Sequence, residues 1–123
     1  MTAITGDDAV RRTREVLAKH GGADDVTLFG ALYDAGLAWV HWPPGFGGLG
    51  AAPGLQDRID STLEAAGRRP NWMRNPMGVG MCGPAVMVHG TDEQRHRYLR
   101  PIFTAEDIWC QLYSEPDSGS DLA

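Results

Sequence analysis

The sequence predicts a mainly α-helical chain followed by a single β-strand. Apolar residues recur at helical spacing over most of its length, and glycines and prolines separate these stretches. Only Ile108–Ser114 has the aromatic and apolar density of a strand. The 123 residues suffice for one small domain, and 42% of them are apolar against 22% charged, which favours a packed core over disorder.

Two helices are predicted in the first third of the chain. The first runs from about Asp8 to His20, where Gly21-Gly22 ends it. Asp24 or Asp25 caps the second, which continues to about Ala35. Each helix carries one apolar stripe: Val10, Thr13 and Leu17 in the first, and Val26, Phe29, Leu32 and Tyr33 in the second.

Three further helical stretches are predicted before the strand. One starts near Pro53, since proline is favoured in the first turn of a helix. The next lies between Asn71 and Gly90, with an irregularity near Pro84. The sequence Thr91-Asp-Glu-Gln94 forms a capping box that begins the last helix, which we expect Pro101 to end.

The segment Gly45-Phe-Gly-Gly-Leu-Gly50 has the spacing of a dinucleotide-binding loop. Such a loop needs a strand before it and a helix directly after it. Pro43-Pro44 interrupts any entering strand, and the following helix begins only after Pro53. The segment is therefore predicted to be a tight turn between helices.

Composition and spacing exclude several classes of function. The net charge is −5 and the arginines form only short clusters, which argues against nucleic-acid binding. The four histidines lack the spacing of metal ligands, so no metal is expected. No apolar run approaches the roughly 20 residues of a membrane span. The N-terminus lacks signal-peptide features and the two cysteines read as reduced thiols, so a cytoplasmic location is expected.

The polar segment Ser114–Asp121 offers donors that could hold a phosphate. It contains three serine hydroxyls, and Gly119 lets a ligand approach the backbone closely. Its acidic residues Glu115, Asp117 and Asp121 would repel an anion unless they point away or pair with arginines. Spacing alone favours an ordinary polar turn.

Taken in order, the C-terminal half of the chain resembles the acyl-CoA dehydrogenase family. The Trp42-Pro43 pair followed by Phe46-Gly-Gly48 is also similar to the family's N-terminal connector. The resemblance spans roughly residues 25–123. The motifs that carry it are Asn71 through Met77-Gly-Val-Gly-Met-Cys-Gly-Pro84, His89-Gly-Thr-Asp-Glu-Gln94, Arg97-Tyr-Leu-Arg-Pro101, Ile108-Trp-Cys-Gln-Leu-Tyr-Ser-Glu-Pro116 and Gly119-Ser-Asp121.

The resemblance implies a division of the chain into two parts. Residues 1–107 would be the family's N-terminal helical domain, and residues 108–123 the first strand and FAD-binding turn of a truncated middle β-barrel domain. The family's catalytic carboxylate lies in a later C-terminal domain. No catalytic residue is therefore assigned here, the base is expected downstream of Ala123, and the fragment alone is expected to be inactive.

The resemblance also implies where FAD and substrate bind. Gln111, Tyr113 and Ser114 match positions at the flavin ring, Tyr113 through its backbone. Gly119 and Ser120 match the turn at the FAD pyrophosphate, and Ser120 also reaches the CoA part of the substrate. Asp117 and Ser118 depart from the Gly and Ala that the family often has there. The helix around Met77–Met87 would form a wall of the acyl pocket, with Met77 and Met81 as substrate contacts, although spacing alone favours ordinary helix core.

The implied parent protein is an oxidoreductase of fatty acid and lipid metabolism. It would oxidise an acyl-CoA thioester to the 2,3-enoyl-CoA with hydride transfer to FAD. An electron-transferring flavoprotein is the expected acceptor, and the parent is expected to be a homo- or hetero-oligomer. The alternatives are a non-catalytic helical interaction module that binds through its Met-rich face, and a dehydrogenase-like flavin oxidase.

Overall fold

The computed structural model describes residues 3–120 and confirms the predicted helical class. A 3₁₀ turn at Asn71–Met73 and a π-helical turn at Gly78–Cys82, called the π turn below, precede the fourth helix. Asp121, the last acidic residue of the predicted phosphate turn, lies outside the described residues. The α-helices of the described chain are α1 Gly6–His20, α2 Asp25–Asp34, α3 Leu55–Ala65, α4 Gly83–His89 and α5 Asp92–Thr104.

Helix α1 begins before the predicted Asp8 because Thr5 caps it. The Asp8 N–H donates to Thr5 Oγ1 at 3.1 Å, and the Thr5 N–H donates to Asp8 Oδ2 at 3.1 Å. The bond from the Thr5 backbone is the largest cause that holds the pKa of the Asp8 carboxyl below its usual value. Two otherwise unpaired backbone donors are thus satisfied at the start of the helix.

Helix α2 lies at the centre of the domain, packed between α1 and α5. Its cap is Asp24, which accepts a hydrogen bond from the Thr27 N–H at 2.8 Å. Val26 was predicted to face the core and is instead 39% exposed, whereas Leu28 is fully buried. The reason is that α2 has neighbours on two sides, so its buried surface is wider than one stripe.

The connector between α2 and α3 is a loop whose first part, residues 36–40 with Trp42, is buried. The rings of Trp39 and Trp42 stack with their centroids 4.1 Å apart. The Gly47 carbonyl accepts hydrogen bonds from the N–H groups of Ala38 at 3.0 Å and Trp39 at 2.9 Å. A Cβ on Gly48 would overlap the Trp42 carbonyl. The glycine motif therefore forms a tight turn that packs on the earlier part of the same connector, and the sequence predicts such a turn between helices.

The irregularity predicted near Pro84 lies just before that residue, in the π turn. There the Gly83 N–H donates to the Gly78 carbonyl, five residues back. Pro84 itself is regular: it stands in the first turn of α4, where a proline N–H is not needed.

Helix α5 confirms the predicted capping box and contradicts the predicted end. The Gln94 N–H donates to Thr91 Oγ1 at 3.1 Å, and the Thr91 N–H donates to Gln94 Oε1 at 2.8 Å. Pro101 lies inside the helix, which continues to Thr104. Proline removes one hydrogen bond near the end of the helix, and the burial of Ile102 and Phe103 outweighs that loss.

The strand predicted at Ile108–Ser114 is not formed. Residues 107–114 have no regular secondary structure, and within residues 3–120 the one β-type pairing joins Glu115 to Ser118. A strand needs a neighbour for its backbone N–H and C=O groups. The described part of the chain offers none beside this segment.

Residues 3–120 contain neither a candidate membrane span nor a candidate metal-binding cluster. No helix there is long and apolar enough to cross a membrane. No three His, Cys, Asp or Glu side chains in that range come close enough to hold a metal ion.

Candidate functional site

A short hairpin turn groups three of the five predicted cofactor-binding residues. The Glu115 N–H donates to the Ser118 carbonyl at 2.7 Å, and the Ser118 N–H donates back to Glu115 at 3.1 Å. This closure places Ser114 beside Gly119, so that a Cβ on Gly119 would lie 3.2 Å from Ser114 Oγ. Ser120 follows with a left-handed φ of 55°.

The donors of this turn suit an anionic oxygen. Among the described residues, the N–H groups of Gly119 and Ser120 make no backbone hydrogen bond. Hydroxyl and amide donors beside a glycine form the kind of concave set that holds phosphates. Glu115 and Asp117 are exposed on the same turn, and neither forms an ion pair within residues 3–120. The residues therefore fit a phosphate, with two exposed carboxylates nearby.

The other two predicted cofactor residues lie upstream on the segment 107–114. Gln111 is half-buried, and its Nε2 lies 3.7 Å from the Met81 sulfur. Tyr113 is 83% exposed. The structure thus brings one predicted flavin contact, Gln111, against one predicted substrate contact, Met81, and leaves Tyr113 on the surface.

One of the two predicted substrate methionines precedes the π turn and the other lies within it. Met77 is half-buried immediately before it, and Met81 is 50% exposed within it. A groove of about 420 Å³ opens beside the turn, between α4, α5 and Trp109. Neither Met77 nor Met81 lines it. Its walls are formed by Cys82, Ala85, Val86, His89, Gly90, Gln94, Tyr98 and Trp109.

Sequence reasoning missed Asn75, which ties the segment 107–114 to the helical body. It is fully buried, and its Nδ2 donates to the carbonyls of Ile102 and Asp107, each at 2.9 Å. Its Oδ1 accepts the Trp109 N–H at 3.3 Å. No local pattern in the sequence marks this residue, because its side-chain partners lie 27 to 34 positions further along the chain.

A second buried asparagine, Asn71, donates from Nδ2 to the Phe103 carbonyl. It lines a small cavity of about 80 Å³ that also contacts Gln56 and Asp60. Burial is the main cause that raises the pKa of the Asp60 carboxyl, and hydrogen bonds from Gln56 and Trp72 partly oppose it. These groups lie on the side of α3, away from the turn at Ser114–Ser120.

Comparison with known proteins identifies the family of the helical body. The model of the acyl-CoA dehydrogenase N-terminal domain matches residues 7–106. The chain is 43% identical over 95 residues to acyl-CoA dehydrogenase FadE34 of Mycobacterium tuberculosis, covering 76% of this chain and 12% of that protein. It is 38% identical over 92 residues to acyl-CoA dehydrogenase IpdE1 of Mycolicibacterium smegmatis, covering 75% and 23%.

A longer match extends further along the chain. Acyl-CoA dehydrogenase FadE29 of Mycobacterium tuberculosis is 30% identical over 112 residues, which covers 91% of this chain and 28% of that protein. The chain thus spans less than a third of each of these relatives. No solved structure matches it. Because the domain model covers most of the chain, from the first turn of α1 to the residue before Asp107, the chain belongs to the acyl-CoA dehydrogenase family and contains the family's N-terminal helical domain.

Proposed function

We propose that this chain is part of an FAD-dependent acyl-CoA dehydrogenase, an oxidoreductase that converts an acyl-CoA thioester to the 2,3-enoyl-CoA. The names of the relatives support the acyl-CoA substrate class. The observation that carries the cofactor is the turn in which Ser114 Oγ lies against Gly119, with the Gly119 and Ser120 N–H groups available. FAD, when bound, supplies the acceptor for the hydride that leaves the substrate.

Five residues of the turn and of the segment before it would hold that cofactor. The hydroxyl of Ser120 and the N–H of Gly119 donate to pyrophosphate oxygens, and the missing Cβ of Gly119 lets them approach. When FAD is bound, Gln111 and Ser114 would contact the flavin ring through their side chains, and Tyr113 would contact it through its backbone. The exposed ring of Tyr113 needs no partner in this role, which agrees with its position on the surface.

The substrate would pass along the π turn. Met77 and Met81 offer flexible apolar surface to an acyl chain, and Ser120 contacts the CoA part. The contact between Met81 and Gln111 supports a shared boundary of the acyl and flavin sites. The catalytic carboxylate belongs to the later part of the parent protein. An electron-transferring flavoprotein would re-oxidise the reduced flavin. The parent protein would act as a homo- or hetero-oligomer.

The test is to express the complete protein that contains this chain and to record its visible absorption spectrum as purified. We expect flavin absorption bands that bleach under anaerobic conditions when acyl-CoA thioesters, from short-chain to bulky polycyclic ones, are added. A parallel sample that receives free CoA controls for changes that do not require an oxidisable acyl group.

The opposite result is a folded, colourless protein that does not take up added FAD. The proposed function would then be wrong, and a helical interaction module would replace it. A flavin spectrum that bleaches only with a non-CoA substrate would keep the cofactor and reject the substrate class.

A further inference from the structure

The most fully bonded buried side chain next to the candidate site is Asn75. Both of its amide hydrogens donate to backbone carbonyls, of Ile102 and Asp107, and its oxygen accepts the Trp109 N–H. An amide is the one side-chain group of this length that supplies two donors and an acceptor. Aspartate would place a carboxylate oxygen against two carbonyls, and leucine would remove the side-chain partner of the Asp107 carbonyl and of the Trp109 N–H.

The same residue adjoins the start of the π turn. The Asn75 carbonyl accepts the Val79 N–H at 2.8 Å. A Cβ on Gly78 would overlap the Asn75 amide, so the two residues are in close contact. Trp39 holds the π turn from its other side, because the Trp39 Nε1–H donates to the Val79 carbonyl at 3.2 Å. Turns of the π type inside helices are often found at functional sites.

Asn75 is also the main anchor of the segment that leads to the cofactor turn. Three other contacts join this segment to α5. The Asp107 N–H donates to the Pro101 carbonyl at 3.1 Å, the Asp107 carboxylate lies 3.8 Å from the Arg97 guanidinium, and the Trp109 ring centroid lies 5.7 Å from that of Tyr98. Further along, the contact between Gln111 and Met81 is a long one. The direction in which residues 110–114 leave the body is therefore set at residues 107–109, where Asn75 supplies two of the hydrogen bonds.

We propose that Asn75 is a positioning residue that holds the π turn and the flavin-contacting segment in one fixed relation. This inference rests on the proposed function, because it assigns Gln111 and Ser114 to the flavin. Asn75 touches neither cofactor nor substrate. It acts through the backbone at Asp107 and Trp109, so its loss displaces the flavin contacts before it unfolds the domain.

The chain offers a matched control in Asn71. It has the same side chain, is 1% exposed, and makes its side-chain hydrogen bond to the same helix, α5, at Phe103. It has no hydrogen bond to residues 107–109. Asn71→Asp, like Asn75→Asp, therefore removes a buried amide hydrogen bond to α5 and lowers the stability of the fold. It leaves the hydrogen bonds that hold residues 107–109 in place.

The experiment measures FAD dissociation constants and unfolding midpoints of the complete protein carrying Asn75→Asp, Asn75→Ser or Asn71→Asp. We expect Asn75→Asp to weaken FAD binding about tenfold or more, from the loss of a shared hydrogen-bond network. Asn75→Ser, which keeps one hydroxyl, should lie between it and the wild type. Asn71→Asp should keep FAD affinity within about twofold although its unfolding midpoint falls.

Amide hydrogen exchange gives a second readout if Asn75→Asp does not fold. In Asn75→Ser, the amides of residues 108–112 should exchange faster while those of α2 stay protected. If both Asn75 variants keep FAD affinity within about twofold, or if Asn71→Asp loses as much, the inference fails while the proposed function stands. A wild-type protein that binds no FAD overturns both.

Discussion

The helical body, residues 6–104, and the C-terminal segment, residues 107–120, differ in how their apolar side chains are used. In the body Leu99 and Ile102 have no exposed surface, whereas in the segment Leu112 is 90% and Tyr113 83% exposed. Apolar burial is the main source of fold stability. The body therefore supplies the stability, and the segment keeps its side chains accessible for the contacts of the proposed site.

The family match follows the same division. The N-terminal domain model ends at residue 106, at the point where regular helix has given way to the extended segment. The residues proposed to bind FAD lie beyond it, on backbone that Asn75 and Trp109 attach to the body. A rigid body that positions a less regular binding segment is a common arrangement in proteins. Substitutions in the two regions should consequently have different effects.

The largest expected contrast uses one residue type in both regions. Leu99→Ala in the body should lower the free energy of unfolding by about 2–5 kcal/mol, because it leaves a cavity in the core beside α5. Leu112→Ala in the segment should change it by less than about 0.5 kcal/mol. Urea unfolding followed by far-ultraviolet circular dichroism measures both. Equal losses would show that the segment is packed in solution, contrary to this structure.

A pair of glycines separates stability from cofactor binding. Gly48→Ala should cost about 1–3 kcal/mol or more of unfolding free energy, since the new methyl group overlaps the Trp42 carbonyl. Gly119→Ala should leave stability within about 0.5 kcal/mol and weaken FAD binding by the complete protein about tenfold. Gly54→Ala is the control, because a Cβ there meets no atom within 4 Å. Unchanged FAD affinity in Gly119→Ala would count against the phosphate turn.

The smallest effect concerns pH. Burial raises the pKa of Asp60 above its ordinary value of 3.8, so the folded state holds that proton more tightly than the unfolded state. The stability this contributes is fully present below about pH 3.8 and is lost as the pH rises through the folded-state pKa. Asp60→Asn should therefore be more stable than the wild type at neutral pH, by less than about 1 kcal/mol, and the difference should shrink in acid.

Urea unfolding at several pH values tests this, with Asp117→Asn in the exposed turn as the control. That variant should change stability by less than about 0.5 kcal/mol at every pH. An Asp60→Asn protein that is less stable than the wild type at neutral pH would mean that the charged carboxylate is favourably bonded in its pocket. The body would then contain a carboxylate site that contributes to stability.

The sequence by itself determined the local features of this protein. The caps at Asp24 and Thr91 follow from side chains that bond to backbone within three residues, and the glycine turn at 45–50 follows from neighbouring prolines. The family resemblance rests on residue order and needed no coordinates, and the domain match agrees with it. The cap at Thr5 was equally local, and it went unrecognised because its partner is aspartate rather than glutamate or glutamine.

Only the tertiary structure decided features that depend on distant residues. Pro101 stays helical because the last turn of α5 packs on the core, and the segment Ile108–Ser114 is unpaired because a strand needs a neighbour. Asn75 bonds to residues 27 to 34 positions away, so no local pattern marks it. Hydrogen bonds within a helical turn depend on residues that are neighbours in the sequence. A buried amide acquires its partners only when the chain has folded around it.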